Sequence, residues 1–417
     1  MFRRWMGTIC AVALLLGTCA GAEELLERWD AAGRIGETGM YLICRDGLWG
    51  VADGAGEVAL EPQFEIVRPF EASRALVCRD DLWGMIDDTG KIVLSPQFPS
   101  EPRFVGELAA VSKTDPSRSR ELMSGEEEYS TLWGAINQEG EFVIPLEYEA
   151  IQLGDDGSIA TVKQEGQYGF VRETGEILVP PQYWKAGAFV EGFAAVARRC
   201  EREDISENTV SYPLWGIIDA QGEMAVEFRY EELRLCGGGL AQAFDGERFG
   251  CIDMRGQTVV PFRYADMGSF QGDYAVVART VKGEKTTNSA PDFEMRFGVI
   301  DRTGKVVVPL EYDAIDLYGD GLARVRQDGG YGFVNMRGEV VIDVSYRGAR
   351  AFVGDFAAVQ TFGSRCWGVL NRAGEVVLPF EYDDLRIFED GTARAGRADA
   401  YAWFDLTRGG QKIDDCR

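Results

Sequence analysis

The chain is built from short runs in which hydrophobic and polar residues alternate, separated by turns rich in glycine and acidic residues. Such alternation, with many valine, isoleucine and aromatic residues, predicts β-strands that bury one face. The segment 321–342 shows the order well, with runs at 322–326, 331–335 and 339–342. Because short turns join consecutive runs, each group of three runs predicts an antiparallel β-meander.

An aromatic residue followed by glycine marks the second run of each group. Successive spacings between these aromatic residues are 34, 50, 35, 47, 34, 48, 34, 36 and 34. A unit of about 34 residues with insertions in three copies indicates a tandem repeat. The pairs are Trp49-Gly50, Trp83-Gly84, Trp133-Gly134, Tyr168-Gly169, Trp215-Gly216, Phe249-Gly250, Phe297-Gly298, Tyr331-Gly332 and Trp367-Gly368, with Tyr401-Ala402 as a tenth, decayed copy.

Turn residues separate the runs of each unit. Asp or Asn followed three residues later by Gly, as in Asp301 to Gly304, lies between the second and third runs, and the fourth copy departs, with Arg172 in that place. The Asp or Asn side chain is expected to bond the turn amides, and the glycine to take the positive φ that closes the hairpin. A calcium site would need several ligands together, whereas each turn supplies one acid. Asp-Gly between the first and second runs, as in Asp46-Gly47, predicts a tight hairpin.

The third run of most units carries a proline followed by an aromatic residue, as in Pro62 to Phe64 and Pro309 to Tyr312. We expect this proline to end the strand ladder. Glycine inside a strand usually indicates the close approach of a backbone or a large ring, and we expect an aromatic ring of the next unit beside each aromatic–glycine pair. One meander buries too little apolar surface to be stable alone, so stacked copies are predicted to form a continuous core. The aromatic residues before glycine are expected in that core rather than in a sugar-stacking stripe.

These motifs together, Leu-Trp-Gly, Asp-x-x-Gly, an apolar run and Pro-x-x-Tyr, resemble the WG-containing repeat family of bacterial proteins. The resemblance extends from about Tyr41 to Phe404. It implies a β-rich repeat scaffold, and it implies no reaction, ligand or catalytic residue. Tyr or Phe replaces Trp in four copies, and Val226 and Val344 stand near the proline position in two copies.

The predicted architecture is all-β, a tandem array of about ten short antiparallel β-meander repeats. Propellers usually have about four to eight blades, so we favour an open superhelical or solenoid arrangement over a single closed β-propeller-like ring. Leu25, Leu26 and Trp29 follow helical spacing. We therefore predict an N-terminal helical cap over 23–40, the array over 41–404 and a C-terminal tail over 405–417.

Residues 1–22 have the features of an export signal. Arg3 and Arg4 precede a short apolar run from Ala11 to Leu16, and Ala20-Gly21-Ala22 suits signal peptidase. The mature protein is then expected to begin at Glu23 and to be secreted or extracytoplasmic.

A lipid anchor at Cys19 is the alternative to simple secretion. The preceding threonine, Thr18, fits a lipobox poorly. No later stretch is long and apolar enough for a membrane helix, so no transmembrane segment is expected in the mature chain.

Composition excludes several classes of function. The net charge is −25, and removing residues 1–22 takes away two arginines and no acids, which leaves −27. Such a chain, with no Lys/Arg cluster, is not expected to bind nucleic acid. The sequence contains no histidine, which excludes Ser-His and Cys-His nucleophile pairs and His-ligated metals. Chemistry that needs only paired carboxylates, as in glycosidases, remains open.

Seven cysteines follow the signal segment: Cys44, Cys78, Cys200, Cys236, Cys251, Cys366 and Cys416. None forms a C-x-x-C pair, so zinc and thioredoxin-type sites are not expected. Cys44 and Cys78 each stand five residues before a tryptophan of the repeat. A disulfide between them would need Cα atoms within about 7 Å, and isolated buried thiols are the other possibility.

Three insertions, roughly Ser112 to Thr131, Arg198 to Pro213 and Val281 to Arg296, fall in the same place in their copies. Loops on one face of a repeat array often bind partners, although long surface loops are also tolerated without a role. We expect a non-catalytic scaffold that binds a protein or cell-wall glycan through these insertions, with no cofactor. We assign no catalytic, cofactor-binding or metal-ligating residue.

A propeller-like carbohydrate hydrolase is the alternative function. It would need one pair of carboxylates found in a single place, because a catalytic pair acts at one site. Acidic residues such as Asp301 and Glu311 instead recur in turn and strand-end positions of many copies. The sequence therefore singles out no one pair.

Overall fold

The computed structural model describes residues 29–121, 127–203, 208–282, 293–318, 321–398 and 400–413. These residues form ten four-stranded antiparallel sheets, whose strands lie side by side in chain order, and one turn of 3-10 helix. The prediction of an all-β tandem array is confirmed. Within these ranges no helix is long and apolar enough to cross a membrane. The predicted signal segment and the lipobox cysteine lie outside them.

The first five sheets follow one another from Ala31 to Tyr230. Sheet 1 is β1 (Ala31–Ile35), β2 (Met40–Arg45), β3 (Leu48–Asp53) and β4 (Val58–Phe64); sheet 2 is β5 (Ile66–Val67), β6 (Arg74–Arg79), β7 (Leu82–Asp87) and β8 (Ile92–Phe98); sheet 3 is β9 (Arg103–Val105), β10 (Leu108–Glu121), β11 (Glu127–Asn137) and β12 (Phe142–Tyr148); sheet 4 is β13 (Ala150–Leu153), β14 (Ile159–Gln164), β15 (Gln167–Arg172) and β16 (Ile177–Tyr183); sheet 5 is β17 (Lys185–Ala186), β18 (Phe193–Glu203), β19 (Thr209–Asp219) and β20 (Met224–Tyr230).

The other five sheets continue to Ile413. Sheet 6 is β21 (Glu232–Leu235), β22 (Leu240–Phe244), β23 (Phe249–Asp253) and β24 (Thr258–Tyr264); sheet 7 is β25 (Asp266–Met267), β26 (Tyr274–Lys282), β27 (Phe293–Asp301) and β28 (Val306–Tyr312); sheet 8 is β29 (Ala314–Leu317), β30 (Leu322–Gln327), β31 (Gly330–Asn335) and β32 (Val340–Tyr346); sheet 9 is β33 (Gly348–Ala349), β34 (Phe356–Gln360), β35 (Trp367–Asn371) and β36 (Val376–Tyr382); sheet 10 is β37 (Asp384–Ile387), β38 (Thr392–Arg397), β39 (Ala400–Asp405) and β40 (Gln411–Ile413), with the 3-10 turn η1 (Leu406–Arg408) before β40.

Each sheet has one strand more than the three predicted runs. In sheets 2 to 10 the extra strand comes first and follows the aromatic residue that ends the preceding sheet, as β5 follows Phe64. It is short, with two residues in β17, β25 and β33 and four in β13, β21 and β29. A strand this short has no room for an alternating pattern, so no such strand was predicted.

The structure corrects the predictions at both ends of the array. The helical cap was predicted over 23–40; residues 23–28 lie outside the described ranges, and within the remainder Ala31–Ile35 forms β1, which pairs with β2. The tail was predicted over 405–417, but Gln411–Ile413 pairs with β39 and supplies the last strand of sheet 10. The decayed tenth copy is therefore a complete sheet, because backbone hydrogen bonds do not require the aromatic–glycine pair.

The described residues form two compact units, one holding residues up to 198 with 218–223 and the other 199–217 with 224 onwards. Within each unit the core lies between consecutive sheets. In the first, Val51 and Phe64 of sheet 1 pack with Val77 of sheet 2. In the second, Val308 of sheet 7 packs with Val325 of sheet 8. Sheets thus bury apolar side chains on their neighbours, as the stacking prediction required.

The glycine of the aromatic–glycine pair lies against the last strand of its own sheet. In sheet 1, Trp49 pairs with Phe64 and Val51 with Leu60, so a bulge of β4 opposes the single glycine between them. A Cβ atom at that glycine would lie 2.6 Å from the nitrogen of Pro62. The expected ring of the next unit is therefore not the neighbour. The proline does not end the ladder either, because it sits in the bulge, where no amide hydrogen is needed.

The second recurring glycine, at the end of Asp-x-x-Gly, is the one that meets the preceding sheet. Gly304 has φ of 82°, and a Cβ atom there would lie 3.2 Å from a methyl group of Val260 in sheet 6. Asp301 opens this turn and accepts hydrogen bonds from the amides of Thr303 at 2.9 Å and Lys305 at 3.1 Å. Partial burial works to raise the pKa of Asp301, but these bonds and the Thr303 hydroxyl lower it overall. The predicted turn is confirmed.

The aromatic residue that ends the last strand is the buried ring of most repeats. Phe64 and Phe98 have no exposed surface. By comparison, Trp83 is buried but most other aromatic residues before glycine are half-buried. Burial raises the pKa of six of the strand-end tyrosines, Tyr148, Tyr183, Tyr230, Tyr312, Tyr346 and Tyr382.

These tyrosines predict a loss of stability at alkaline pH. Their folded-state pKa values lie above the ordinary 10.0, so above about pH 10 the folded chain binds more protons than the unfolded chain and the free energy of unfolding falls. Urea unfolding measured at a series of pH values should show this fall, and Tyr230→Phe should reduce its slope. A free energy of unfolding that stays level from neutral pH through the tyrosine range would contradict the prediction.

Candidate functional site

The three insertions extend the second and third strands of sheets 3, 5 and 7. We call these extensions arm 3 (residues 113–121 and 127–132), arm 5 (199–203 and 209–214) and arm 7 (279–282 and 293–296). Their connecting segments, 122–126, 204–207 and 283–292, lie outside the described residues. The spacings located the insertions correctly, but the described parts are strands and not loops.

In each arm the strand pairing of the sheet continues. In arm 7, Lys282 pairs with Phe293, without a break from the body of sheet 7. Arm 3 keeps its pairing with one register shift between Asp115 and Ser119, and the strands of arm 5 are neighbours in sheet 5. Hydrogen-bonded strands give the backbone of an arm a defined geometry.

Arm 7 is fixed at its base and exposes an aromatic residue farther out. The Arg296 guanidinium pairs with Glu294 at 2.7 Å and also with Asp313, just before sheet 8. Beyond these contacts Phe293 is 70% exposed as a residue. A large exposed ring on a paired strand is the kind of anchor that interfaces use.

Arm 5 presents a mixed surface of charged, aromatic and apolar groups. The guanidinium of Arg202 pairs with Glu231 at 2.8 Å and lies 4.7 Å over the ring of Tyr212. Val210, on the same strand as Tyr212, is 42% exposed. A guanidinium group stacked on a ring, with an apolar side chain near it in sequence, suits contact with a partner's surface.

Recurring acidic residues hold turns in place. The Asp313 carboxylate accepts a hydrogen bond from the amide of Asp328 at 2.9 Å. Glu149, just before sheet 4, holds the matching turn through the next amide, accepting a hydrogen bond from Gly166 at 3.2 Å. These carboxylates therefore have a structural task, which explains why they recur in the sequence.

The pair Asp301 and Glu311 is not brought together. Asp301 holds the turn between β27 and β28, whereas Glu311 lies next to Tyr312, which pairs with Phe297 at the other end of those strands. Among the residues that the structure describes, no group of three or more Asp, Glu or Cys is placed to hold a metal ion.

Guanidinium groups cover the aromatic residues before glycine in several sheets. Arg68 lies 5.3 Å over the ring of Trp83, and Arg350 lies 4.4 Å over Trp367. Each arginine directly follows the first strand of the same sheet. One face of each of these rings is thus covered by a guanidinium group of the protein. This supports a packing role for the rings and not a row of exposed faces for stacking on sugars.

The cysteines in the described part of the chain are free thiols. Cys44 and Cys78 occupy corresponding positions on β2 and β6, and both are buried. The disulfide considered from their spacing is not formed. Burial raises the pKa of Cys251 to about 12, so its thiol stays protonated and unreactive at neutral pH. Cys416 lies outside the described ranges.

Solved structures with some likeness to the chain come from several different proteins. A crystal structure of the eukaryotic initiation factor is 11% identical over 81% of this chain and 94% of that one, with a TM-score of 0.35. The tricorn protease is 12% identical over 93% and 48%, with a TM-score of 0.27, and the Pyrococcus horikoshii acylaminoacyl peptidase is 11% identical over 73% and 56%, with a TM-score of 0.29. No curated protein matches the sequence.

The family comparison accounts for the repeats themselves. The WG containing repeat matches nine times, at residues 49–83, 83–115, 133–168, 168–197, 215–243, 249–278, 297–331, 331–361 and 367–396. Each of these segments begins at the aromatic residue of an aromatic–glycine pair. The glycine of that pair lies opposite the bulge in the last strand of its sheet, so the family motif coincides with this structural feature. The chain is a repeat scaffold and belongs to the WG-containing repeat family.

Proposed function

We propose that this protein is an exported, non-catalytic scaffold that binds a protein or a cell-wall glycan through arms 3, 5 and 7. The observation that carries the proposal is that all three insertions are strand extensions at one position of the repeat. A paired backbone holds an exposed ring such as Phe293 in a fixed place, which is what an interface anchor needs. Export is supported by the sequence of residues 1–22.

The absence of enzymatic activity is part of the proposal. Its support is that the recurring carboxylates close turns, as Asp301 and Asp313 do, and that Cys251 is buried with a raised pKa. A carboxylate that already accepts amide hydrogen bonds and has a lowered pKa, as Asp301 does, is a poor general acid.

Shortening the arms should weaken partner binding and leave the fold intact. In the test variant, residues 114–131, 199–213 and 280–295 are each replaced by Asp-Gly, the turn that joins β2 to β3 in sheet 1. Binding of the mature chain to a glycan array and to extracytoplasmic proteins is then measured. Affinity should fall about thirtyfold or more, since truncating one aromatic anchor typically costs about 2 kcal/mol.

A matched control replaces the natural turn Asp328-Gly329 of sheet 8, which has no arm, by Asn-Gly. This variant should bind as the parent does, and both variants should keep the parent's far-ultraviolet circular dichroism spectrum. Equal binding by the shortened variant would overturn the role of the arms. Turnover of a polysaccharide by the parent chain would overturn the non-catalytic part.

A further inference from the structure

The first residue of the second strand is charged in sheet 2 alone. In sheets 3, 5, 7 and 9 this position is apolar or aromatic, with Leu108, Phe193, Tyr274 and Phe356. In sheet 2 the same position is Arg74. Sheet 10 has the uncharged polar Thr392 there. A charged residue at a position that is apolar or aromatic in most sheets breaks the pattern that packs one sheet on the next, so it needs a separate explanation.

The hydrogen bonds of Arg74 are incomplete within the protein. Its Nη1 donates to the carbonyl of Ser73 at 3.1 Å. Its Nε is buried and has no hydrogen-bond partner among the described residues. A buried donor without an acceptor is unfavourable, and an ordered water, local strain or a bound ligand can account for it.

The turn that leads into Arg74 is strained as well. Ala72 has φ of 47° and Ser73 has φ of 63°, a region that favours glycine. The corresponding turns of sheets 3, 5, 7 and 9 each contain a glycine at one of these two positions: Gly106, Gly192, Gly272 and Gly354. In sheet 5 Glu191, at the position of Ala72, also has positive φ, so the turn of sheet 2 differs from these four in having no glycine at either position.

Arg74 lines a cavity of about 350 Å³ between sheets 2 and 3. Leu76, Met85 and Phe104 are among the apolar residues that line this cavity, and we call these three the apolar wall. The volume lies in the range of roughly 300–1,000 Å³ that is usual for small-molecule sites. The lining combines apolar side chains with the amide of Gln138 and four charged groups.

The charged groups of the cavity are two guanidinium groups and two carboxylates. Arg68 and Glu101 form a two-pronged ion pair, with both N–O distances 2.7 Å, and this pair is neutral as a whole. Glu71 lines the cavity on the side of the strained turn that leads to Arg74. Arg74 also lies near the Asp87 carboxylate; partial burial works to raise the pKa of Asp87, but hydrogen bonds and the charge of Arg74 lower it overall. Asp87 does not line the cavity, so within the lining one charge of each sign remains for a ligand. This disfavours phosphates and other dianions and favours a molecule that carries both charges.

We propose that this cavity binds a free α-amino acid with an apolar side chain. The ligand's carboxylate pairs with the guanidinium group of Arg74. Its ammonium group pairs with Glu71, and its side chain packs on the apolar wall. The proposal goes beyond binding by the arms, because this cavity lies in sheets 2 and 3 and its lining contains no residue of an arm.

Isothermal titration calorimetry on the mature chain tests the proposal with four probes. L-leucine and L-phenylalanine should bind. N-acetyl-L-leucine lacks the ammonium charge and L-leucinamide lacks the carboxylate, so each should bind at least about thirtyfold more weakly, the usual effect of losing a charged hydrogen bond. No heat with leucine or phenylalanine at millimolar concentration, or equal binding of either derivative, would overturn the proposal.

Arg74→Leu restores the residue type of sheet 3 and separates binding from folding. The variant should bind leucine at least about thirtyfold more weakly and should have a higher Tm, since an unpaired buried donor is removed. Undiminished leucine binding by this variant, or a Tm below that of the parent, would overturn the role given to Arg74.

Arg79→Leu is the matched control. Arg79 ends the strand that Arg74 begins and does not line the cavity, so the substitution removes the same charge from the same strand. This variant should bind leucine as the parent does. A loss of leucine binding equal to that of Arg74→Leu would mean that net charge, and not the cavity, controls the affinity.

Discussion

Gly84→Ala in sheet 2 is expected to lower the free energy of unfolding by about 3 kcal/mol, the upper range for forcing an added group into a packed site. The new Cβ atom would lie 2.6 Å from the nitrogen of Pro96 and closer still to the carbonyl oxygen of Leu94. Both are backbone atoms of the bulge in β8, and a backbone cannot rotate away as a flexible side chain can. Urea unfolding followed by circular dichroism measures the change.

Gly33→Ala is the control for this substitution. Gly33 also lies in a strand, in β1 of the same unit, but a Cβ atom there would meet nothing within 4 Å. Its replacement should change the free energy of unfolding by less than about 1 kcal/mol. If Gly84→Ala and Gly33→Ala had the same effect, the close approach of the bulge would not be the reason why glycine follows the aromatic residue.

Phe333→Ala in sheet 8 is expected to cost about 4 kcal/mol, as is usual for removing a large ring from a core. Phe333 has no exposed surface. Its ring meets the edge of Phe352, which lies between β33 and β34 of sheet 9, with centroids 4.9 Å apart and planes at 74°. The substitution therefore leaves a cavity between two sheets and removes an aromatic contact that joins them. Urea unfolding gives the total effect.

Amide hydrogen exchange would show which sheets lose stability in the Phe333→Ala variant. In a repeat array each unit is stabilised mainly by its neighbours, so amides of sheets 8 and 9 should exchange faster while those of sheet 6 keep their protection. Phe362→Ala is the control, since that ring is 55% exposed, and it should cost less than about 0.5 kcal/mol. Equal costs for the two alanine variants would contradict the view that neighbouring sheets hold each other through buried rings.

The repeat can carry both arms and a cavity because the features that stabilise each sheet recur along the chain. The bulge, the turn and the strand-end ring recur in nearly every sheet. An arm extends strands that are already paired, as Thr280 and Met295 show. The cavity beside Arg74 lies where a charged residue stands at a position that is apolar or aromatic in most sheets. We therefore look for function where the repeat departs from its pattern.

The candidate sites were predictable from the sequence to different degrees. The spacings located the three insertions, because an insertion lengthens the interval between aromatic–glycine pairs whatever structure it adopts. Their strand pairing was missed, because polar composition resembles that of loops. Arg74 was missed although the signal is present: it stands nine residues before the aromatic residue of its copy, where Met40, Ile159 and Leu322 stand in theirs.

Local patterns along the chain were sufficient to predict the repeat, three of the four strands in most sheets, the hairpin turns and the all-β class. These features depend on alternation and on the φ preferences of glycine, aspartate and asparagine. The reason for each glycine depends on the tertiary structure. A side chain at Gly50 would clash with the bulge in its own sheet, whereas Gly304 lies against the preceding sheet. Conformational preferences act within a few residues of sequence. Close approach, burial and the unpaired Nε of Arg74 instead depend on which residues distant in sequence pack together.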